Sequence, residues 1–227
     1  MKKKVYAPGC ALMIYKPELA DRAIKTLEEE FNGINEHLIC CRHNHNLEKG
    51  TEIINTCSGC DRRYRELFKD ITTVTLWERL SESKNFPFPN YNGIEMAIHD
   101  ACPTRNRIEV HTSIRRLLER MNIKIVEPKH TGANSICCGD SFYGILPLDK
   151  QKEMMKKRAM EMPCEDVVVY CVSCIKSMHI GGKKPRYILD LLFAENTEIG
   201  IFEPEEWHKV LQEYIDCLLY TSPSPRD

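Results

Sequence analysis

Residues 167–174 read Val-Val-Val-Tyr-Cys-Val-Ser-Cys, a β-rich run that leads directly into a C-x-x-C pair. The run is typical of a buried strand, and the segment that follows it, from Ile175, is typical of a helix. Residues 52–60 (Glu-Ile-Ile-Asn-Thr-Cys-Ser-Gly-Cys) repeat this arrangement, and a polar, helix-like segment follows from Asp61. The chain therefore contains two copies of one strand–cysteine–helix unit.

The repeat extends upstream of each C-x-x-C pair. A short strand-like run precedes Cys10 in the first copy and Cys102 in the second, and an amphipathic helix follows each cysteine. Apolar residues mark these helices at Ala20, Ile24, Leu27 and Phe31 and at Ile114, Leu117, Leu118 and Met121. Each copy then has an Ile-Cys-Cys triplet, at residues 39–41 and 136–138.

Strands that alternate with helices predict an α/β fold of two tandem, pseudo-symmetric βαβ-type halves with mainly parallel sheets. In open sheets of this kind, ligands bind beyond the carboxyl ends of the strands. The cysteines follow the predicted strands, so we expect two similar sites, each at one sheet edge.

The two copies also set the expected domain boundaries. We expect the first, shortened copy to span residues 1–85 and the second 94–200, with a Pro- and Asn-containing linker between them at 86–93. Further helices are predicted at about 148–162, 186–194 and 205–215, the last within a C-terminal helical segment, 201–216. Residues 217–227 (CLLYTSPSPRD) look like a translated sequencing-library adapter, so we expect an artefact tail and a natural sequence that breaks off near Asp216. The alternative is a natural tail rich in Pro and Ser.

Composition narrows the classes of function. The 227 residues are 42% hydrophobic and 29% charged, which is typical of a globular protein. A net charge of −1 gives no electrostatic signature for nucleic acid, and no stretch approaches the roughly 18 apolar residues of a membrane span. No apolar signal region follows the start, Met1-Lys2-Lys3-Lys4. We therefore expect a cytoplasmic protein with no nucleic-acid partner and no membrane span.

Ten of the twelve cysteines form the pattern C…CC…C-x-x-C twice. The first set is Cys10, Cys40, Cys41, Cys57 and Cys60, and the second is Cys102, Cys137, Cys138, Cys171 and Cys174. Zinc is satisfied by four ligands, so five thiolates are one too many for a single ion, whereas soft thiolates select iron–sulfur clusters. We predict that all ten bind metal, with an iron–sulfur cluster in each half. Zinc sites and reactive dithiols or disulfides are the alternatives.

With these motifs, the chain resembles the cysteine-rich "CCG domain" family, which includes the B subunit of heterodisulfide reductase and iron–sulfur subunits of glycolate and lactate oxidation complexes. The resemblance extends from Cys10 to Cys174. In the second copy, 34 residues separate Cys102 from Cys137, and 32 separate Cys138 from Cys171, so that this copy, with Gly139 after the pair, matches the family well.

The first copy departs from the family pattern. Cys10 is followed after 29 residues by Cys40–Arg42, so that Arg42 replaces the family's glycine. Only 15 residues then separate Cys41 from Cys57, where the family usually has thirty-odd. Because a crossover that contains a helix needs a dozen or more residues, we expect this loop to lack a helix.

The resemblance implies two noncubane [4Fe-4S] clusters, each held by one five-cysteine set, and a substrate disulfide cleaved with one electron from each cluster. It implies an oxidoreductase of anaerobic metabolism, or a subunit of one. The sequence has no nucleotide or flavin motif and no ferredoxin cysteine run, so electrons are expected from a partner flavoprotein or ferredoxin. A small disulfide or thiol-linked compound is the expected substrate.

Two other functions stay open. One is an electron-transfer iron–sulfur subunit that serves a partner oxidoreductase, and the other is a zinc-stabilised binding protein. The cluster type in the shortened first copy is also open.

His99 and Asp100 precede Cys102 at a predicted strand end and are the candidate catalytic residues. They could supply protons or hydrogen bonds to cluster sulfurs, as the groups around a metal site commonly do, and a structural histidine is the alternative. Cys164 lies outside both cysteine sets and is expected to be a buried structural thiol.

Overall fold

The computed structural model describes residues 3–31 and 33–221. The chain divides into two compact units. The first unit is built from the chain up to Leu76 together with the segment from Glu205 onward, and the second runs from Trp77 to Pro204. The segment 86–93, expected to be a linker, therefore belongs to the second unit.

The first unit contains one parallel sheet with helices. Its elements are β1 (Lys4–Ala7), α1 (Cys10–Tyr15), α2 (Pro17–Phe31), β2 (Asn35–Glu36), β3 (Glu52–Asn55), α3 (Ser58–Leu67) and β4 (Thr72–Thr75). The strand order is β2-β1-β3-β4, and every pairing is parallel. Helix α4 (Leu76–Glu82) begins at the last residue of this part of the unit.

The second unit repeats the same sheet. Its elements are β5 (Glu95–His99), α5 (Ile108–Arg120), β6 (Lys124–Val126), α6 (Leu148–Met160), β7 (Asp166–Val169), α7 (Val172–Ile180), β8 (Lys184–Tyr187) and α8 (Ile188–Leu192). The strand order is β6-β5-β7-β8, again all parallel. Helix α9 (Pro204–Thr221) then returns the chain to the first unit.

These two four-stranded parallel sheets confirm the predicted α/β fold of two tandem halves. The central strands are buried, as shown by β7, where Val167, Val168 and Val169 are each 0% exposed. Strands covered on both faces read as continuous apolar runs, which is why these were visible in the sequence. The helices bury one face, as in α5, where Ile114, Leu117 and Leu118 lie in the core.

The peripheral strands differ from expectation. Strands β2, β4, β6 and β8 were not predicted, and β8 takes the first residues of the helix expected at 186–194, which is shortened to α8. These strands are two to four residues long, and β8 contains Pro185, which an edge strand tolerates. The expected tail, 217–227, begins within α9, and its residues 222–227 lie outside the described part of the chain.

The connection into the second C-x-x-C strand is where the halves differ most. Between Cys41 and β3 every residue is described, and none is helical. The equivalent connection in the second unit carries the 13-residue helix α6. Among the described helices, none is long and apolar enough to cross a membrane.

Candidate metal centres

The ends of neighbouring parallel strands bring the cysteines of each unit together. Cys10 begins α1, three residues after β1, and Cys57 is the N-cap of α3, two residues after β3. Strands β1 and β3 are adjacent, and so are β5 and β7, which Cys102 and Cys171 follow. Because the carboxyl ends of parallel strands meet at one sheet edge, each unit gathers its cysteines there.

Within each unit, five free thiols form one continuous chain of contacts. We call Cys10, Cys40, Cys41, Cys57 and Cys60 the first array, and Cys102, Cys137, Cys138, Cys171 and Cys174 the second array; none of the ten is in a disulfide. In the first array the contacts run in the order Cys10–Cys40–Cys41–Cys60–Cys57. In the second they run in the matching order Cys102–Cys137–Cys138–Cys174–Cys171.

The hydrogen bonds of the first array favour a thiolate at Cys40. The thiols of Cys10 and Cys41 donate to Cys40, and with the amide of Arg42 they lower its pKa to about 2 against the opposing effect of burial. At the other end, Cys60 donates to Cys57 and lowers the pKa of that thiol to about 7.

In the second array the pKa is shifted downward at the equivalent residue, Cys137. The thiols of Cys102 and Cys138 donate to Cys137, whose pKa is lowered in consequence. Ser141 Oγ adds a hydrogen bond to Cys137 Sγ at 2.9 Å, and the amide of Gly139 donates to the same sulfur at 3.3 Å. In both arrays, therefore, the first cysteine of the adjacent pair accepts from its neighbours and from the amide two residues on.

The spacing of the sulfurs bears on which metal group they could hold. A zinc ion with four thiolates at about 2.3 Å brings all sulfurs within about 3.8 Å of one another. In the part of the chain that the structure describes, no four thiols lie mutually within 4.8 Å. The arrays are open chains of contacting sulfurs, so they do not converge on one point. Their soft, five-thiol donor sets fit a group with several metal atoms.

His99 lies beside the thiols of the second array. It is the last residue of β5, is 0% exposed, and has a ring nitrogen within 4.8 Å of the sulfurs of Cys138 and Cys174. Nδ1 receives a hydrogen bond from Arg158 Nε at 3.2 Å, and Nε2 is buried without a hydrogen-bond partner. Burial lowers the pKa of His99 to about 3, and Arg158 adds to that shift.

Asp100 anchors the strand end beside the second array. Its buried carboxylate accepts hydrogen bonds from Arg115, Thr131, Tyr170 and the amide of Gly132, at 2.7 to 3.0 Å. Burial raises the pKa of Asp100, but the hydrogen bond and charge of Arg115 outweigh it, so the net shift is downward. These contacts tie the loop that leads to Cys137 to the end of β5.

Gly139 follows the adjacent cysteine pair of the second copy, where the first copy has Arg42. Its φ is +106°, and a Cβ atom there would lie 2.6 Å from Met155 Cγ and 3.0 Å from the Met155 amide nitrogen of α6. The first unit has no helix in the matching connection, so the exposed Arg42 meets no such obstacle. The second unit therefore has both the glycine and the helix, and the first unit has neither at this place.

The C-terminal helix covers part of the first array. Ile215 of α9 is buried with Cys10 and Cys40, and Leu211 and Tyr214 pack against the same cluster. Sequence reasoning had assigned this helix no place beside the cysteines. Cys164, which was expected to be buried, is only partly buried and has no part in either chain of sulfur contacts.

Arg158 is the functional candidate that sequence reasoning missed. It is 2% exposed on the inner face of α6, which also buries Gln151, Met155 and Ala159. The sequence did contain a signal for Arg158, because it lies among the apolar positions of a predicted helix. A charge at such a position needs a buried partner. Its partner, His99, lies 59 residues away in the sequence.

Fold and site together define an α/β protein with two arrays of five free thiols. No family model matches the chain, and no curated protein matches it significantly. Among solved structures, the chain is similar to glutamate racemase from Campylobacter jejuni subsp. jejuni, with 13% identity and a TM-score of 0.37 over 95% of this chain and 98% of that one.

Proposed function

We propose that the chain is an iron–sulfur redox protein that binds a [4Fe-4S] cluster at each array, in the noncubane form suggested by the resemblance to the heterodisulfide reductase B subunit. The single observation that carries this proposal is the pair of five-thiol arrays with the same order of sulfur contacts. Two independent stretches of chain converge on one arrangement of soft ligands. A structural disulfide framework would pair these thiols, and all of them are free.

The surroundings of the sulfurs suit bound thiolates. Cys57 and Cys171 are the N-caps of α3 and α7, where the helix dipole stabilises negative charge. The amides of Arg42 and Gly139 donate to the first cysteine of each adjacent pair. These donors hold the sulfurs in place and favour their deprotonated form.

When bound, such clusters supply electrons one at a time, and two of them match the two electrons needed to convert a disulfide to two thiols. We propose a small disulfide or thiol-linked compound as substrate, with electrons from a partner flavoprotein or ferredoxin and protons from solvent or neighbouring groups. The ten thiols of the two arrays, none of them in a disulfide, suit a reducing, cytoplasmic compartment.

Anaerobic purification followed by metal and sulfide analysis tests the cluster proposal. The expected result is about eight iron and eight sulfide ions per chain, with visible absorption from sulfur-to-iron charge transfer. A colourless protein that holds zinc and no iron would overturn it in favour of a zinc-stabilised binding protein.

Turnover separates the reductase from a simple relay. With a chemically reduced electron donor, the loaded protein should release two thiols for each disulfide consumed. Clusters that accept electrons from the donor but reduce none of a panel of small disulfides would instead indicate an electron-transfer subunit of a partner oxidoreductase.

A further inference from the structure

The two strand ends that carry the first cysteine of each array differ at one position. His99 ends β5 three residues before Cys102, and Ala7 ends β1 three residues before Cys10. Both side chains are buried, His99 completely and Ala7 to within 3% of its surface. The second array therefore has an imidazole where the first has a methyl group.

Arg158 fixes which nitrogen of His99 carries the proton. A guanidinium group has donors and no acceptor, so the 3.2 Å hydrogen bond from Arg158 Nε requires a lone pair on Nδ1. In the neutral ring the hydrogen is then on Nε2. That N–H is buried and has no partner among the described residues, although such groups are rarely left unpaired.

Arg158 is itself held firmly. Its side chain donates to Glu161 Oε2 at 2.6 Å and to the carbonyl of His130 at 2.8 Å. Because it belongs to α6, which has no counterpart in the first unit, the second unit alone supplies this means of orienting a histidine.

We propose that His99 is a positioning residue of the second centre, and that its Nε2–H donates a hydrogen bond to sulfur at the Cys138 and Cys174 end of the second array, raising the reduction potential there. The inference rests on the proposed function, since it concerns the bound cluster. A hydrogen bond to sulfur stabilises the more negative, reduced state, and the nearby guanidinium charge acts in the same direction.

The test is an EPR-monitored redox titration of the anaerobically purified full chain, comparing the wild type with His99→Leu, His99→Gln and His179→Leu. His99→Leu should make reduction of the second centre at least tenfold less favourable, a shift of about 59 mV for a one-electron couple. His99→Gln, which keeps a donor, should recover part of the loss. The exposed His179 of α7 is the control, and its removal should leave both centres unchanged.

Different outcomes separate this inference from the proposed function. A wild-type protein without iron and sulfide overturns both. Normal clusters in the wild type and the same second-centre potential in His99→Leu overturn the inference alone. A strongly coupled nitrogen in the pulsed EPR spectrum that disappears in His99→Leu would identify His99 as an iron ligand and overturn its role as a donor.

A second variant covers the case in which His99→Leu fails to load the second centre. Arg158→Gln leaves the imidazole in place and removes the group that fixes its tautomer and supplies the charge. Its second-centre potential should also fall, with the first centre unchanged. An unaltered potential in this variant overturns the inference.

Discussion

The two units have sheets of the same topology and the same pattern of cysteines, but different groups surround their thiols. Both sheets have the order second, first, third and fourth strand, counted along the chain within each unit, and both arrays connect their five sulfurs in the same order of contacts. Around the second array lie Gly139, helix α6 and the His99–Arg158 pair. Around the first array lie an exposed loop with Arg42 and the apolar side of α9.

This difference separates the features that position the thiols from the groups that surround them. Three sulfurs of each array follow the ends of two adjacent parallel strands, which both units keep, and the adjacent cysteine pair lies in the connection that leads to the second of these strands. The groups around the sulfurs differ: the connection between β6 and β7 supplies Gly139 and Arg158, and β5 ends in His99 where β1 ends in Ala7. We infer that two centres with equal ligands need not have equal properties, and that the shortened loop of the first unit removes tuning groups while leaving its ligands in place.

The largest expected effect comes from removing the middle thiol of one array. Cys138 contacts Cys137 and Cys174, and Cys41 occupies the same place in the first array. Cys138→Ser should abolish the second centre and reduce the iron content from about eight to about four per chain, since each [4Fe-4S] cluster holds four irons. Cys41→Ser should remove the other half, and the EPR spectra of the two variants should sum to that of the wild type.

Cys164→Ser is the matched control, because Cys164 belongs to neither array and is only partly buried. Its iron content should equal that of the wild type. If Cys164→Ser lost as much iron as Cys138→Ser, the assignment of ligands by array would be wrong. If either array variant lost all its iron, the two centres would not be independent.

The sequence predicted the arrays because their determinants are local. Apolar runs beside the cysteines identified β1, β3, β5 and β7, and the parallel topology then required the strand ends to meet. The outer strands escaped prediction because they are short and polar, as in β2, which has two exposed residues. Their pairing depends on the tertiary structure.

The surroundings of the arrays were harder to predict. The contact between His99 and Arg158 joins a strand end to a helix 59 residues later, and no local pattern specifies which buried group faces which. The position of α9 beside Cys10 could not be predicted either. The apolar stripe of this helix indicates that one face is buried, but it does not indicate which part of the protein covers that face.

The next largest effect should follow from adding one methyl group beside the second array. Gly139→Ala puts a side chain at φ +106° and within 2.6 Å of Met155. The left-handed backbone costs about 1–2 kcal/mol and the overpacking about 1–3 kcal/mol. Urea denaturation of the anaerobic protein should report this loss, together with poorer iron retention in the second centre.

Arg42→Ala is the counterpart in the first unit and should be nearly neutral. Arg42 is exposed, and its side chain donates to the exposed Gln212 at 2.9 Å. Exposed substitutions of this kind usually change the free energy of unfolding by no more than about 0.5 kcal/mol. Equal destabilisation by the two variants would contradict the link between the glycine and helix α6.

The smallest of the three effects tests the anchor that only the second unit has. The first unit has Pro8 at the position of Asp100, so no carboxylate there ties a loop to the strand end. Asp100→Asn keeps the size of the side chain but removes the charge opposite Arg115 and replaces one acceptor by a donor. Losing hydrogen bonds to a charged group costs about 1.5–3 kcal/mol.

Urea denaturation again provides the measurement, with Asp21→Asn on the exposed face of α2 as the control. Because Arg115 also pairs with Glu127, part of its charge stays compensated, which places the expected loss near the lower end of the range. The iron of the first centre should be retained in full. A first centre that lost iron as readily as the second would show that the anchor acts on the whole chain, and the two surroundings would then not be separable.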